Sequence, residues 1–172
     1  TKIKVEYFMP ELINDKESQG KLGYSYLCND ITKDPYENFC LYILSGLFFD
    51  GPTTPFYKNI IESGLAPAYS PGAGYDMTTK EAIFGIGVSN INPTKENIEE
   101  IEKAIIATLN QVVKEGIPED KFEAQLHKLE IQVKKTRDHW GLGVISNMIN
   151  YTVHGGDPLW VFNINEHLER IR

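Results

Sequence analysis

Two side chains that could do hydrolytic chemistry, His127 and Glu130, lie three residues apart where apolar residues recur at helical spacing. On a helix this spacing puts an imidazole and a carboxylate on one face, where they could hold a metal ion or activate water. A small hydrolase that uses this pair is therefore one hypothesis. However, Ile131 has no lone pair to donate, and Glu123 and Lys134 continue the same stripe as a solvated helix surface would. We therefore predict a solvated surface, with no catalytic residue and no metal ligand in this chain.

The remaining histidines and the cysteines are predicted to be structural or surface residues. His139, His154 and His167 have no second histidine or cysteine at ligand spacing. Cys28 and Cys40 have no metal-type spacing and are too few for a disulfide framework, which favours reduced thiols. The sequence contains no Gly-x-Ser-x-Gly motif and no phosphate-binding loop that would indicate another chemistry.

Strand and helix signals alternate in the first half of the chain. Residues 21–29 alternate as a strand does, and Asp34-Pro35-x-Glu37 predicts a capped helix that is buried on most sides. Thr54-Pro55 predicts a further helix, with Thr54 as its cap and Gly64 ending it in the left-handed conformation. Alternation over 82–88 predicts a strand with two glycines on one face. That face could pack closely on another backbone, or the strand could accept an extended peptide at its edge.

Helical patterns dominate the second half. Thr94 is expected to cap a helix that ends at Gly116, and Pro118 to begin the next one. The inward residues of that second helix are predicted to be Phe122, Leu126, Leu129 and Val133. Gly141-Leu142-Gly143 is expected to break this helix before a shorter apolar one. Together the patterns predict an α+β fold with helices packed on one face of a mainly antiparallel sheet.

Length, net charge and the lengths of apolar stretches limit the class of protein to which the chain can belong. A length of 172 residues suits one domain. We predict a lead-in or linker over 1–19 and a single α+β domain over 20–172, truncated at both ends relative to a larger protein. The net charge of −7 and the lack of a basic run argue against a nucleic-acid partner. No stretch approaches the ~18 apolar residues of a membrane span, so no membrane partner is expected.

Four longer motifs resemble one known family. They are Gly-Pro-x-x-Pro-Phe-Tyr-Lys-x-x-Ile-Glu-Ser-Gly-Leu from residue 51, Ser-Pro-x-x-Gly-Tyr from 70, Leu-His-Lys-Leu-Glu-Ile-Gln from 126 and His-Gly-Gly-Asp-Pro from 154. They resemble the presequence-protease and falcilysin branch of the pitrilysin/insulinase zinc metallopeptidases. The resemblance identifies the chain as the second domain of the amino-terminal half of such an enzyme.

This resemblance implies a function for the longer protein and a supporting role for the segment. The longer protein would be a zinc metalloendopeptidase that degrades short unfolded peptides, such as targeting presequences or globin fragments. Its zinc-binding catalytic domain would lie upstream in the same chain, and the segment would form a non-catalytic wall of the chamber. The implied location is an organelle matrix, mitochondrial or plastid-like, or a digestive vacuole.

The chain departs from the family's catalytic pattern in two places. The family holds zinc through His-x-x-Glu-His on a helix, and Ile131 occupies the position of the second histidine. The family also uses an arginine and a tyrosine six residues later in a helix-end loop, and these positions fall at Glu62 and Ala68. Tyr69 is one residue late. The alternative is a non-enzymatic peptide-binding or assembly module on the same fold.

Overall fold

The computed structural model describes residues 3–5, 19–135 and 140–172 of the chain. The strands are β1 (Gly20–Asp30), β2 (Ala68–Tyr69), β3 (Gly74–Asp76) and β4 (Glu81–Ile91). The α-helices are α1 (Pro35–Phe49), α2 (Lys95–Glu115), α3 (Glu119–Lys134), α4 (Trp140–Val153) and α5 (Ile164–Ile171). A π-helix spans Tyr57–Glu62, and a 3-10 helix spans Pro158–Phe162.

The sheet is antiparallel and is organised around β4. On one side β4 pairs with β1, from Gly20 opposite Ile91 to Asp30 opposite Glu81, with irregularities near both ends. On the other side it pairs with the two short strands β2 and β3. Side chains alternate along β4, and the even-numbered Phe84, Ile86 and Val88 lie in the core. The helices therefore pack on the face of the sheet that carries these residues. The predicted α+β fold is confirmed.

Helix α1 begins where its capping signal predicts. The carboxylate of Asp34 accepts hydrogen bonds from the backbone N–H groups of Tyr36 and Glu37, at 2.8 and 3.3 Å, and Pro35 occupies the first turn. A similar cap begins α2, where the Thr94 hydroxyl accepts from the backbone N–H of Asn97. These local bonds satisfy donors that would otherwise lack partners inside the helix.

The main core lies between the sheet and the helices α1 and α2 together with the π-helix. Its centre is a cluster of aromatic rings in which Phe48 contacts Phe56 at 5.4 Å and Phe84 at 5.9 Å between ring centroids. Ile101 and Ile105 close the cluster from α2 and are each 1% exposed. A second apolar cluster joins α1 to α3 and α5 through Phe39, Leu126 and Leu168, among others. The first cluster therefore holds helices on the sheet, and the second holds α3 and α5 on α1.

A buried polar network ties the start of α1 to its surroundings. The side-chain amide of Asn38 donates to the carbonyl of Ile31 at 2.8 Å and lies 3.5 Å from the hydroxyl of Tyr151. Its Oδ1 atom accepts from the Asn29 amide at 2.7 Å and from the Tyr75 hydroxyl at 3.1 Å. One buried side chain therefore connects β1, β3, α1 and α4.

Three local predictions need correction. Val133 is 37% exposed and does not point inward, because it lies in the last turn of α3, beyond the part that packs on α1. Gly141 and Gly143 do not break a helix, since they lie in the first turn of α4 and α3 has already ended at Lys134. The hydroxyl of Thr54 does not cap the following helix but donates back to the carbonyl of Gly51 at 2.9 Å.

The exit from the π-helix follows the prediction. The chain is helical from Pro55, and Gly64 adopts a φ of +82°, a conformation that a side chain would strain. The helix itself takes the wider π form over Tyr57–Glu62, which the sequence did not indicate.

Candidate functional site

His127 and Glu130 lie side by side on the outer surface of α3. The Nδ1 atom of His127 is 3.6 Å from the Glu130 carboxylate, and the histidine side chain is 72% exposed. Arg172 contacts the other carboxylate oxygen at 2.9 Å. Partial burial of Glu130 acts to raise its pKa, but Arg172, His127 and Lys134 together outweigh that effect and the pKa is lowered. The carboxylate is thus held ionised in a surface ion pair.

The donor set at this position does not fit a zinc ion. Ile131 follows the pair, is 52% exposed and has no atom that could ligate a metal. Structural zinc sites take four protein ligands, and catalytic sites take three and leave one position for water. Within 3–5, 19–135 and 140–172, no three histidine, cysteine or carboxylate side chains converge as a metal site requires.

Two of the other histidines have structural surroundings. The Nε2 atom of His154 is 3.2 Å from the carbonyl of Thr78, which links the end of α4 to the loop before β4. His167 is 8% exposed and packs its ring against Tyr36 and Phe39, at 5.8 and 5.5 Å between centroids. Burial lowers the pKa of His167, which favours the neutral imidazole. His139 lies outside the described residues.

The loop expected to match the family's arginine and tyrosine positions has neither residue at those positions, and its nearby tyrosine, Tyr69, does not face solvent. Glu62 ends the π-helix and is exposed, while Ala68 lies in β2 opposite Ser89. The ring of Tyr69 packs edge-on against Phe49 at 5.2 Å, and burial raises the pKa of its hydroxyl to about 12. The Tyr69 hydroxyl is therefore a buried neutral group rather than a donor presented to solvent.

Peptide addition along β4, the binding mode considered for 82–88, is wrong. Both edges of β4 are occupied, by β1 on one side and by β2 and β3 on the other. The two glycines serve close internal packing, because a Cβ atom added at Gly85 would collide with the carbonyl of Gly72. At Gly87 an added Cβ would crowd the Ser70 hydroxyl and the Leu22 carbonyl.

The clefts on the described surface include a larger and a smaller one that bear on chemistry. The larger, about 460 Å³, lies between the end of α1, the π-helix and the α2–α3 connection. Its Asp50 carboxylate is neutralised by Lys128 at 2.8 Å. The smaller, about 330 Å³, has an apolar lining that includes Phe39, Tyr151 and Trp160. Neither lining combines a Ser or Cys nucleophile with a histidine base.

The feature that the sequence reasoning missed is an exposed apolar face on α4. Leu142, Ile145, Ile149 and Val153 are between 54% and 67% exposed. The sequence does carry a signal for this face, because Asp157 is the sole Asp, Glu, Lys or Arg between Trp140 and Asn165. A helix that is apolar without interruption can be buried by its own domain or by a neighbour, and the pattern does not separate the two.

Comparisons with known proteins place the chain in a family. The family model described as peptidase M16 inactive domain matches residues 5–129. The mitochondrial presequence protease of Xenopus laevis is 38% identical over 92% of the chain, and that of Schizosaccharomyces pombe is 36% identical over 98%. The chain spans 15% and 17% of the lengths of these two relatives.

A solved structure shares the fold. It is described as the inactive peptidase domain of a Bordetella parapertussis zinc protease and superimposes with a TM-score of 0.68. The superposition covers 93% of the present chain and 84% of the other, at 13% sequence identity. None of the described helices combines the length and apolar content needed to cross a bilayer.

Proposed function

The chain belongs to the family of peptidase M16 inactive domains, and from that premise we propose that it is a non-catalytic domain of a longer zinc-dependent endopeptidase. The observation that carries the proposal is the 38% identity, over 92% of the chain, to a protein named presequence protease of which the segment matches 15%. A match of this kind is what one domain of a long enzyme would give.

The proposed role is to form part of the wall of a peptide chamber and to support the domain that does the chemistry. A zinc ion held by that other domain would polarise the scissile carbonyl and activate a water molecule. In this chain the side chains at the metal-motif position are His127, Glu130 and Ile131, and they supply too few ligands for that ion. The rigid α+β core, with its aromatic cluster around Phe48, suits a supporting wall.

The proposed substrates are short unfolded peptides, such as cleaved targeting presequences or globin fragments. Two observations support this class: the relatives' name, presequence protease, and the motif resemblance that begins at Gly51. The relatives are named as mitochondrial, so an organelle matrix is the proposed location, with a digestive vacuole as the alternative that the same motifs allow.

The experiment compares the 172-residue chain with the longer polypeptide that would contain it. Zinc per chain is measured by metal analysis, and cleavage is followed with a quenched fluorescent peptide that has no folded structure. We expect zinc and chelator-sensitive cleavage in the longer polypeptide and neither in the 172-residue chain.

A pair of variants tests the role assigned to α3. In the longer polypeptide, His127→Ala and Glu130→Gln are expected to leave zinc content and cleavage rate unchanged, because both side chains belong to a surface ion pair. One zinc bound by the 172-residue chain, with cleavage that His127→Ala abolishes, would overturn the proposal and make this pair the active site.

A further inference from the structure

We infer that the outer face of α4, formed by Leu142, Ile145, Ile149 and Val153 and called here the α4 stripe, docks against another domain of the same polypeptide. The inference rests on the proposed function, since it requires a longer chain. It assigns the surface through which this domain would be held in the enzyme.

The two faces of α4 differ in what they contact. On the inner face, the Asn150 amide donates to the carbonyl of Met77 at 2.6 Å, and the ring of Tyr151 packs edge-on against Trp160 at 5.8 Å. His154, just past the helix, adds a contact to the Thr78 carbonyl. These contacts fix the rotation of the helix about its own axis, because successive residues turn by about 100°.

The α4 stripe points away from this inner face. Leu142, Ile145, Ile149 and Val153 follow one another at spacings of three and four residues, so they form one line along the helix. The line begins in the first turn of α4 and ends at its last residue, and it extends about 16 Å at a rise of about 1.5 Å per residue. An unbroken apolar line on a soluble domain marks an interaction surface rather than a scattered exposure.

Charge distinguishes α4 from α2 and α3. Helix α4 contains no Asp, Glu, Lys or Arg, whereas α2 and α3 carry charged residues along their exposed sides. A helix face that remains in water ordinarily carries such residues, and the core of an interface is depleted of them. The partner surface is therefore apolar and uncharged.

The size of the α4 stripe favours a tethered partner over a second copy of the chain. Stable interfaces between separate molecules bury roughly 800 Å² on each partner, and a single helix face of about 16 Å falls well short. Two copies would also bring together two chains of net charge −7. A partner in the same polypeptide avoids both costs, because the tether gives a high effective concentration.

The length of the relatives supplies such a partner. In the Xenopus laevis presequence protease the matched region is 15% of the protein, so most of that polypeptide lies outside it. The occupant that we assign is accordingly an apolar surface of a neighbouring domain in the longer chain.

The test uses matched substitutions on two helices. Ile149 in the α4 stripe is 55% exposed, and Ile106 on α2 is 49% exposed. Ile149→Lys and Ile106→Lys introduce the same change at nearly equal exposure. In the 172-residue chain we expect neither variant to shift the thermal midpoint, since both side chains face solvent.

The longer polypeptide is expected to separate the two variants. Ile149→Lys should lower its thermal midpoint by several degrees, because a charge would enter a covered apolar surface, while Ile106→Lys should leave it unchanged. Equal and negligible effects of the two variants there would overturn the inference. A dimer of the 172-residue chain at micromolar concentration that Ile149→Lys dissociates would also overturn it, in favour of a second copy.

A labelling measurement keeps the test independent of folding defects. With Cys28 and Cys40 replaced by Ser and Ala, Ile149→Cys should react quickly with a maleimide in the 172-residue chain and at least tenfold more slowly in the longer polypeptide. Equal rates would contradict docking. If the longer polypeptide protects the Ile149→Cys thiol but cleaves no peptide, the docking surface is supported and the proposed function is refuted. If it cleaves the peptide but does not protect this thiol, the proposed function is supported and the docking surface is refuted.

Discussion

The hydroxyl of Tyr75 in β3 lies 3.1 Å from Oδ1 of Asn38 in the first turn of α1. This contact joins the sheet to the helical layer through polar groups that are withdrawn from water, where the loss of a hydrogen-bond partner is costly. The same amide also serves Asn29 and Ile31, which concentrates several hydrogen bonds on one side chain.

Asn38→Ala is expected to destabilise the domain by about 3 kcal/mol, because it leaves the Ile31 carbonyl without its donor and the Asn29 amide without its acceptor. Urea denaturation of the 172-residue chain measures the change. Asn110→Ala, at an exposed position of α2, is the matched control and should change the free energy of unfolding by less than about 0.5 kcal/mol. Equal effects of the two variants would show that the network contributes little.

Gly85→Ala should destabilise the domain by about 2 kcal/mol, because the new methyl group would collide with the carbonyl of Gly72 and displace backbone. Gly23→Ala in the paired strand β1 is the control, since an added Cβ atom there has no neighbour within 4 Å. The control should be neutral or slightly stabilising. Thermal unfolding of the two variants tests this prediction. If the glycine face of β4 were open, both substitutions would be tolerated and neither would lower the thermal midpoint.

Acidification should reduce stability through His167. Burial is the main cause of its lowered pKa, Glu166 and Asp34 oppose the shift, and Arg170 adds to it. In the unfolded chain His167 binds a proton near the ordinary histidine pKa of about 6.5, whereas in the folded chain it binds one only at lower pH. Its contribution to the free energy of unfolding is therefore complete above about pH 6.5 and falls below it.

His167→Phe removes this proton linkage and should flatten the decline in thermal midpoint between about pH 6.5 and the folded pKa of His167. His127→Gln, which alters an imidazole that is 72% exposed, is the control and should keep the wild-type slope. An unchanged slope in His167→Phe would mean that carboxylates alone set the acid limit.

Alkaline pH should destabilise the fold through Tyr24, whose pKa is raised to about 12. Burial is the first cause, and the nearby Glu102 carboxylate is the second. In the unfolded chain Tyr24 loses its proton near pH 10. Its contribution to the free energy of unfolding is therefore complete below that pH and is lost as the pH rises towards 12. Tyr24→Phe should lose less stability over this interval in denaturant titrations. An equal loss would assign the alkaline transition to other tyrosines.

Most elements of the fold were predictable because their signals are local. The Asp34-Pro35 and Thr94 caps act within one turn, and alternation identifies β1 and β4 from neighbouring residues alone. The α+β class follows from these elements. The π form of Tyr57–Glu62 was not predictable, since its single-turn difference from an α-helix has no distinct residue pattern.

For the candidate site, the sequence could predict only which residues are chemically unable to act as ligands. Ile131 cannot ligate a metal in any fold, so the incomplete motif could be recognised from the sequence alone. The exposure of Val133 and of the α4 stripe was not predictable, because apolar periodicity reports that a face is to be buried and not which surface buries it. The central position of β4 likewise depends on pairing between distant segments.

That pairing has a consequence for synthesis of the chain. Gly20 pairs with Ile91, and all of α1, the π-helix, β2 and β3 lie between them in sequence. As the polypeptide leaves the ribosome, β1 has no partner strand until β4 has emerged. Until then Leu22 and Tyr24, which pack against the main core in the folded domain, are open to contacts with other chains. Translation speed through the segment before β4 therefore sets how long a nascent strand remains available for misassembly.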